Sequence, residues 1–158
     1  TMELLLKEFQ DNSIPLAAWF AMPDASYYTV DAGLASGNLS DREYFPVVMD
    51  GTVAVGYTVV SKSTGRESTV AAVPVKDGNN VIGALGASIY LDELSQSIVD
   101  DLGLSDEVVF YAVNADGVIA LHSDADMIMQ DASEQADLSD VNSAESELLG
   151  WTFYLGYK

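Results

Sequence analysis

The spacing of apolar residues along the chain predicts short helices that alternate with strands. Apolar side chains three or four residues apart are typical of a helix, and β-branched or aromatic runs bounded by Gly, Pro, Asp or Asn are typical of a strand. Helices are expected at residues 2–10, about 41–50 and 91–102. Strands are expected at residues 16–22, 27–30, 53–61, 68–75, 81–90, 108–113, 118–121 and 150–157.

The segments between these elements are predicted to be turns and loops. Residues 31–39 are small and contain glycine, so a loop is expected there. Ser40, followed three residues later by Glu43, fits a capping box and places Arg42 in the first turn of the second helix. Residues 123–147 are polar and acidic, and they are expected to be the most mobile part of the chain.

The order of the strands indicates an α+β fold. Consecutive strands joined by tight turns form an antiparallel sheet, and helices are then expected on one side of it. The chain has 158 residues, of which 49% are apolar, and this is enough for a domain with a buried core. A single domain over residues 1–158 is therefore predicted.

The chain is strongly acidic, with 25 Asp and Glu against 6 Lys and Arg and a net charge of -19. Nucleic acids and anionic membranes bind clustered Lys and Arg, so neither is an expected partner. The acidity is uneven, because residues 77–157 contain 16 acidic residues and no Lys or Arg. An anionic ligand would therefore depend on the first half of the chain, which holds both arginines, Arg42 and Arg66.

The sequence offers little for catalysis or metal binding. The absence of cysteine excludes disulfides, thiolate metal sites and cysteine nucleophiles. His122, the single histidine, ends a strand and is expected at the surface. A calcium loop that starts at Asp124 would need an oxygen ligand, a glycine and a glutamate where Ile128, Met129 and Gln135 stand. No catalytic residue, metal ion or cofactor is therefore predicted.

Two of the predicted strands have faces suited to the wall of a pocket. Small residues share one face of the strand at 81–90, which leaves room either for a closely packed helix or for a ligand. These residues are Ala84, Gly86 and Ser88. One face of the strand at 53–61 combines polar tips with an apolar wall. Its residues are Tyr57, Val59 and Ser61.

Arg42 is the main candidate for contact with an anionic ligand. It stands two residues before Tyr44 and three before Phe45, in a short polar and aromatic run. A guanidinium can hold a carboxylate through two parallel hydrogen bonds, and neighbouring rings can form the walls around it. The alternative is an exposed arginine paired with a nearby Asp or Glu.

Several segments, taken in order, carry a resemblance to a known family. They are Leu5–Phe9, Asp41–Phe45 followed by Gly51, Ser61–Arg66, Ala71–Val75, and Ile82–Ile89 leading into Leu91–Leu94. Over about residues 4–102 they resemble the Cache domain, the extracytoplasmic PAS-like sensor module of prokaryotic chemoreceptors, histidine kinases and cyclases. The hairpin over 108–121 resembles the strands that open a second, membrane-proximal lobe of that family, so residues 104–158 are expected to form a truncated second lobe or an accessory hairpin.

The resemblance implies a curved, PAS-like antiparallel sheet with a long N-terminal helix, and a ligand pocket under a loop and a short helix. Arg42 matches the arginine that holds a ligand carboxylate in this family, and Tyr44 and Phe45 match its aromatic pair. Ser61 and Ser88 fall where amino-acid-binding members carry aspartates that hold the ligand's ammonium group.

This departure from the family pattern changes the expected ligand. A buried ammonium group needs a compensating anion, so two serines in place of two aspartates disfavour a zwitterionic amino acid. A small carboxylate or another neutral-to-anionic metabolite is expected, with Arg42 as its counter-ion. The expected hydrogen-bond partners are Tyr57, Ser61 and Ser88, and the further candidates are Tyr28 and Lys62. Arg66 is expected in a surface turn.

The sequence therefore predicts the extracytoplasmic (periplasmic or extracellular) ligand-sensing domain of a membrane-anchored signal transducer, not an enzyme. Ligand binding would shift the populations of open and closed pocket loops, and the change would be relayed to a cytoplasmic output domain. Leu4, Leu5 and Phe9 of the first helix would suit either a homodimer or packing on the domain itself. The alternatives are a protein-interaction or adaptor module without a small ligand, and a small hydrolase.

Overall fold

The computed structural model describes residues 1–135 and 144–157, and the chain divides after Tyr90 into two units. Each unit is built on an antiparallel sheet of its own. The α+β class predicted from the strand order is confirmed, and the curved sheet implied by the resemblance is present. No helix within the described ranges is long and apolar enough to cross a membrane.

The first unit consists of two helices and a six-stranded sheet. Its helices are α1 (Met2–Asp11) and α2 (Tyr44–Met49). Its strands are β1 (Leu16–Ala21), β2 (Ser26–Thr29), β3 (Gly33–Asn38), β4 (Ala54–Val60), β5 (Glu67–Asp77) and β6 (Asn80–Tyr90). They are arranged in the order β3-β2-β1-β6-β5-β4, and every neighbouring pair is antiparallel.

Alternation along β1 divides the core of this unit between the two faces of the sheet. Trp19 and Ala21 are buried on one face, together with Val48 of α2. Ala18 points the other way, because successive side chains of a strand alternate, and it packs with Leu6 of α1. The two helices therefore lie on opposite faces of the sheet, whereas the sequence predicted helices on one side.

The segment before α2 differs from its predicted conformation. Strand β3 replaces the predicted loop, because its backbone pairs with β2 at the sheet edge and needs no apolar side chains to do so. The predicted capping box is wrong: the Ser40 hydroxyl donates to Asn38 Oδ1 at 2.7 Å, and the helix begins at Tyr44 without a side-chain cap. Arg42 therefore lies in the loop before α2, not in its first turn.

The second unit packs helix α3 (Leu91–Leu102) on a four-stranded sheet. Its strands are β7 (Val108–Val113), β8 (Ile119–His122), β9 (Ala144–Leu148) and β10 (Trp151–Tyr157), in the order β8-β7-β10-β9. The predicted helix at 91–102, the hairpin and the last strand are confirmed. Leu91, Phe110, Leu121 and Trp151 are among the residues that form its core.

Two expectations about the second unit stay predictions. The stretch expected to be mobile, 123–147, includes residues 136–143, which lie outside the described residues. Its described part contains two short 3-10 helices, Ala125–Met127 and Ala132–Glu134, and most of β9. The assignment of 104–158 as a partial lobe or an accessory hairpin of a single domain also stays a prediction.

His122 is buried at the end of β8, with 7% of its surface exposed. Its Nδ1 accepts the backbone N–H of Asp124 at 2.8 Å, and its ring stacks on Tyr111 with the centroids 6.0 Å apart. The expected surface position is wrong, because the imidazole holds the turn that follows the strand and packs against a ring of β7.

Candidate functional site

A small cavity, which we call the inner cavity, lies on the α2 side of the first sheet. Residues of four strands, of α2 and of the adjoining loops line it. They are Trp19, Tyr27, Leu39, Arg42, Tyr44, Val59, Ser61, Lys62, Ser63 and Ser88. Its volume is about 10 Å³, which is about the space that one water molecule needs.

Arg42 is a cation of the inner cavity that is not engaged with an acid. Its Nη2 donates to the carbonyl oxygen of Val60 at 2.7 Å, and its backbone N–H donates to the carbonyl oxygen of Leu39 at 3.0 Å. No carboxylate among residues 1–135 and 144–157 forms an ion pair with it. Because a guanidinium has five N–H donors, Arg42 is held in place and can still bind an anion.

Lys62, the second cation of the lining, is neutralised within the protein. Its Nζ forms an ion pair with Asp41 and donates to the carbonyl oxygen of Asn38 at 2.8 Å. The hydrogen bond from Lys62 is the main cause that lowers the pKa of Asp41, so this carboxyl group is ionised at neutral pH. Lys62 therefore ties the turn after β4 to the loop before α2.

Tyr44 forms an aromatic wall of the inner cavity. Its ring centroid lies 5.8 Å from that of Trp19 and 6.0 Å from that of Tyr57, which it meets edge-on. Burial raises the pKa of Tyr44 to about 12, against the opposing effect of the nearby Arg42. Burial also raises the pKa of Tyr27. Both phenols therefore stay protonated at neutral pH and can donate hydrogen bonds to a ligand.

Ser61 and Ser88 are buried serines of the lining, 6% and 5% exposed. The Oγ of Ser61 lies 3.2 Å from that of Ser63, with which it shares a hydrogen bond. The Oγ of Ser88 accepts the indole N–H of Trp19 at 3.2 Å. This leaves the hydrogen of the Ser88 hydroxyl for an acceptor in the cavity, since a hydroxyl both donates and accepts.

Four of the seven site residues predicted from the sequence meet at the inner cavity, namely Arg42, Tyr44, Ser61 and Ser88. Tyr57 contacts the ring of Tyr44, and Phe45 packs on the same core, but neither lines the cavity. Tyr28 lies on the other face of the sheet, in the cluster that contains Leu6. Lys62, the further candidate, does line the cavity.

Sequence reasoning missed Trp19, which fills the space expected over the small residues of β6. Trp19 pairs in register with Gly86, and a Cβ at Gly86 would lie 2.1 Å from Cζ2 of the indole. Because Gly86 has no Cβ, the indole of Trp19 can lie directly against β6. Neither a helix nor an open pocket occupies this place. The signal was available in part: a wide residue on one strand needs a narrow one beside it.

A larger cavity, which we call the outer cleft, adjoins the inner cavity. Its volume is about 260 Å³, and it is lined by parts of β1, β2 and β3 and by the turn after β4. It shares Tyr27, Lys62 and Ser63 with the inner cavity. Gln10 of α1 lies at its edge, where its Oε1 accepts the backbone N–H of Ala18 at 3.0 Å.

Comparison by sequence gives a short match. The chain matches no protein-family model. A stretch of 75 residues, 48% of the chain, is 31% identical to the methyl-accepting chemotaxis protein PscA of Pseudomonas syringae pv. tomato. The chain spans 12% of the length of that protein.

Comparison with solved structures identifies the fold. The sensory domain of the Campylobacter jejuni chemoreceptor Tlp3, with isoleucine bound, has a TM-score of 0.71 at 9% identity and covers 99% of this chain and 72% of its own. The ligand-binding domain of the Pseudomonas fluorescens chemoreceptor CtaA, with L-leucine, has a TM-score of 0.69 at 18% identity. The match covers 99% of this chain and 76% of the CtaA domain. The extracellular domain of rpHK1S-Z16, named as a histidine kinase, has a TM-score of 0.72 at 13% identity. The match covers 99% of this chain and 76% of that domain.

These structures define the class to which the fold belongs. The chain has the Cache-like fold of the sensory domains of chemoreceptors and histidine kinases. The resemblance drawn from the sequence is therefore confirmed at the level of the fold.

Proposed function

We propose that this chain is the ligand-sensing domain of a membrane-anchored signal transducer and that its inner cavity binds a small carboxylate. The observation that carries the proposal is the charge of the lining. The chain has 25 acidic residues, yet no Asp or Glu within residues 1–135 and 144–157 lines this cavity, while Arg42 and Lys62 do. Lys62 is neutralised by Asp41, so Arg42 supplies the positive charge that a ligand would meet.

The hydrogen-bonding groups of the lining support an anionic ligand. The guanidinium, the tyrosine hydroxyls and the free hydrogen of the Ser88 hydroxyl all donate, and a carboxylate accepts. A carboxylate between Arg42 and these donors would replace its hydration by charge-assisted hydrogen bonds, which are stronger than neutral ones.

The ligand we propose lacks an ammonium group. The Tlp3 and CtaA domains were solved with isoleucine and leucine, which carry both a carboxylate and an ammonium. For the first group the inner cavity offers Arg42. For the second, the part of the chain that the structure describes places no anion in the lining, where Ser61 and Ser88 are uncharged. An amino acid would therefore have to bury its ammonium without a counter-ion, which is costly.

The proposal also includes the cellular location of the domain and its connection to the membrane. We place it outside the cytoplasm, as in the extracellular domain of rpHK1S-Z16, and joined through the membrane to a cytoplasmic output domain. It has no catalytic role in this proposal. The first unit holds the ligand, residues 104–158 are a partial second lobe or an accessory hairpin, and α1 is the candidate surface for a homodimer.

Calorimetric titration with propionate, succinate and pyruvate tests the site. A bound carboxylate at about 100 times its dissociation constant should stabilise the protein by about 2.7 kcal/mol. Arg42→Ala should weaken binding by at least about thirtyfold, because it removes the charged partner of a desolvated carboxylate. Alanine, which is propionate with an added ammonium, should bind more weakly than propionate.

Arg66→Ala is the matched control for this experiment. Arg66 carries the same charge but lies over the ring of Tyr90, with its Cζ 3.6 Å from the centroid, and it lines neither cavity. Its replacement should leave carboxylate affinity unchanged. Equal losses in the two variants, or binding that survives Arg42→Ala, would assign the carboxylate to another place. Turnover of a substrate that survives Arg42→Ala would favour an enzyme instead.

A further inference from the structure

The indole of Trp19 occupies the space next to the proposed carboxylate position. The side chain is 3% exposed and lies between the strand at Gly86 and the ring of Tyr44. Its Nε1 donates to Ser88, a residue of the same lining. The indole therefore forms one wall of the inner cavity and leaves about 10 Å³ beside it.

The residues of β6 beside the indole leave room for the space it fills to continue along the strand. Ala84 and Gly86 are small and buried, and Leu39 and Val59 complete an apolar surround. If the indole were absent, the space it fills would continue the inner cavity along β6. That space is apolar, so it would suit the hydrocarbon tail of a carboxylate whose head is at Arg42.

We propose that Trp19 determines the specificity of this site by excluding carboxylates with long or branched tails. The inference rests on the proposed function, because it takes the ligand head to be held by Arg42. In the native protein the site takes short carboxylates, for which the lining has to open beyond the one-water space that the structure shows. The limit on tail length comes from the indole. Gly86 allows the indole to lie against the sheet, and the indole N–H donates a hydrogen bond to Ser88 that holds it there.

A series of straight-chain carboxylates tests this inference, with acetate, propionate, butyrate and hexanoate as the probes. In the native protein, affinity should fall beyond propionate. In Trp19→Ala, affinity should instead rise with length, by about fourfold for each added methylene, as for burial of a CH₂ group. Arg42→Ala, introduced into either background, should remove binding of every member of the series.

Controls keep the result interpretable where Trp19→Ala lowers stability. Trp19→Phe keeps a ring against Tyr44 and opens less space, so it should move the limit to butyrate without admitting hexanoate well. Added indole should restore the melting temperature of Trp19→Ala by refilling the space, and this restoration should be smaller when Ser88→Ala is also present. A folded Trp19→Ala that gains no affinity for indole and keeps the native length preference overturns the proposal.

The outcomes separate this inference from the function on which it rests. If carboxylates bind through Arg42 but Trp19→Ala and Trp19→Phe keep the native length preference, the specificity role is overturned and the carboxylate site stands. If no carboxylate binds the native protein or Trp19→Ala, both fail. A length preference that reverses in Trp19→Ala and still requires Arg42 supports both.

Discussion

At the scale of single residues, the site depends on a glycine, Gly86, which has no side chain beyond a hydrogen atom. Trp19 and Gly86 are register partners on β1 and β6, and the ring of the first covers the backbone of the second. Close packing of this kind leaves no room for even one added carbon atom, because protein interiors are packed as densely as organic crystals. The glycine thus positions the tryptophan, and the tryptophan bounds the cavity.

Gly86→Ala should consequently destabilise the protein. The added Cβ would lie 2.1 to 2.4 Å from three atoms of a buried indole, which has to move. Overpacking of a core typically costs about 1–3 kcal/mol, and a loss in this range is expected in urea unfolding.

Gly37→Ala is the control for that experiment. A Cβ at Gly37, in the edge strand β3, would meet nothing within 4 Å, so stability should change by no more than about 0.5 kcal/mol. Equal stability of Gly86→Ala and the native protein would mean that the indole does not lie against β6 in solution.

Two adjacent tyrosines show why the membership of the site was only partly predictable. Tyr28 was a candidate from the sequence, but Tyr27 lines the inner cavity and Tyr28 packs under α1. Neighbouring residues of a strand point to opposite faces, and both faces of this sheet are covered. With no polar face to mark the outside, the sequence pattern did not indicate which tyrosine faces the cavity.

At the scale of elements, the loop before α2 carries Arg42 and is held through contacts of Asn38 and Asp41. Asn38 Oδ1 accepts the backbone N–H of Ser40 at 3.1 Å and its hydroxyl at 2.7 Å. Lys62 contacts Asp41 and the carbonyl oxygen of Asn38, so the turn after β4 holds the same loop. The contacts of Lys62, together with the hydrogen bond from Arg42 to β4, position the guanidinium. The sequence had predicted that a capping box at Ser40 would set the position of Arg42.

The Asp41–Lys62 ion pair makes the stability of this loop depend on pH. The pKa of Asp41 is lowered from 3.8 in the folded protein, so its contribution is present above that value and is lost as the pH falls through the folded pKa. Asp41→Asn should therefore be less stable than the native protein at neutral pH. The difference should shrink as the pH falls below about 3.8, as urea unfolding across the acid range would show.

Lys62→Gln tests whether the Asp41–Lys62 ion pair causes this pH dependence. It removes the other partner, so it should produce the same narrowing at acid pH, and the double variant should lose little more than either single one. A difference between Asp41→Asn and the native protein that stays constant down to the acid unfolding limit would attribute the stability to something other than the ion pair.

At the scale of the whole molecule, the net charge of -19 opposes folding through mutual repulsion. Salt screens charges that are farther apart than the Debye length, which is about 8 Å at physiological ionic strength. The melting temperature should therefore rise when sodium chloride is added at neutral pH. Potassium chloride should raise it equally, because screening depends on ionic strength and not on the cation.

Either of two results would contradict this prediction. A melting temperature that is flat or falls with salt would mean that local ion pairs outweigh the general repulsion. A larger effect of one cation than of the other would indicate specific ion binding. Chloride is the anion to use, since a carboxylate salt could bind at Arg42 as well as screen.

The sequence by itself determined the order and type of most elements and the class of the fold. Periodicity and turn residues act over a few neighbouring positions, so β5, β6, α3 and the hairpin of β7 and β8 followed from them directly. The acidity and its uneven distribution likewise directed attention to Arg42 before its surroundings were known.

Only the tertiary structure decided how the site is filled and bounded. The register of β1 on β6 brings Trp19 over Gly86, and the pairing of β3 with β2 ends the strand where Asn38 can hold the loop of Arg42. Both are contacts between segments far apart in the chain, and no local pattern of apolar and polar residues specifies such a register when both faces of a sheet are buried.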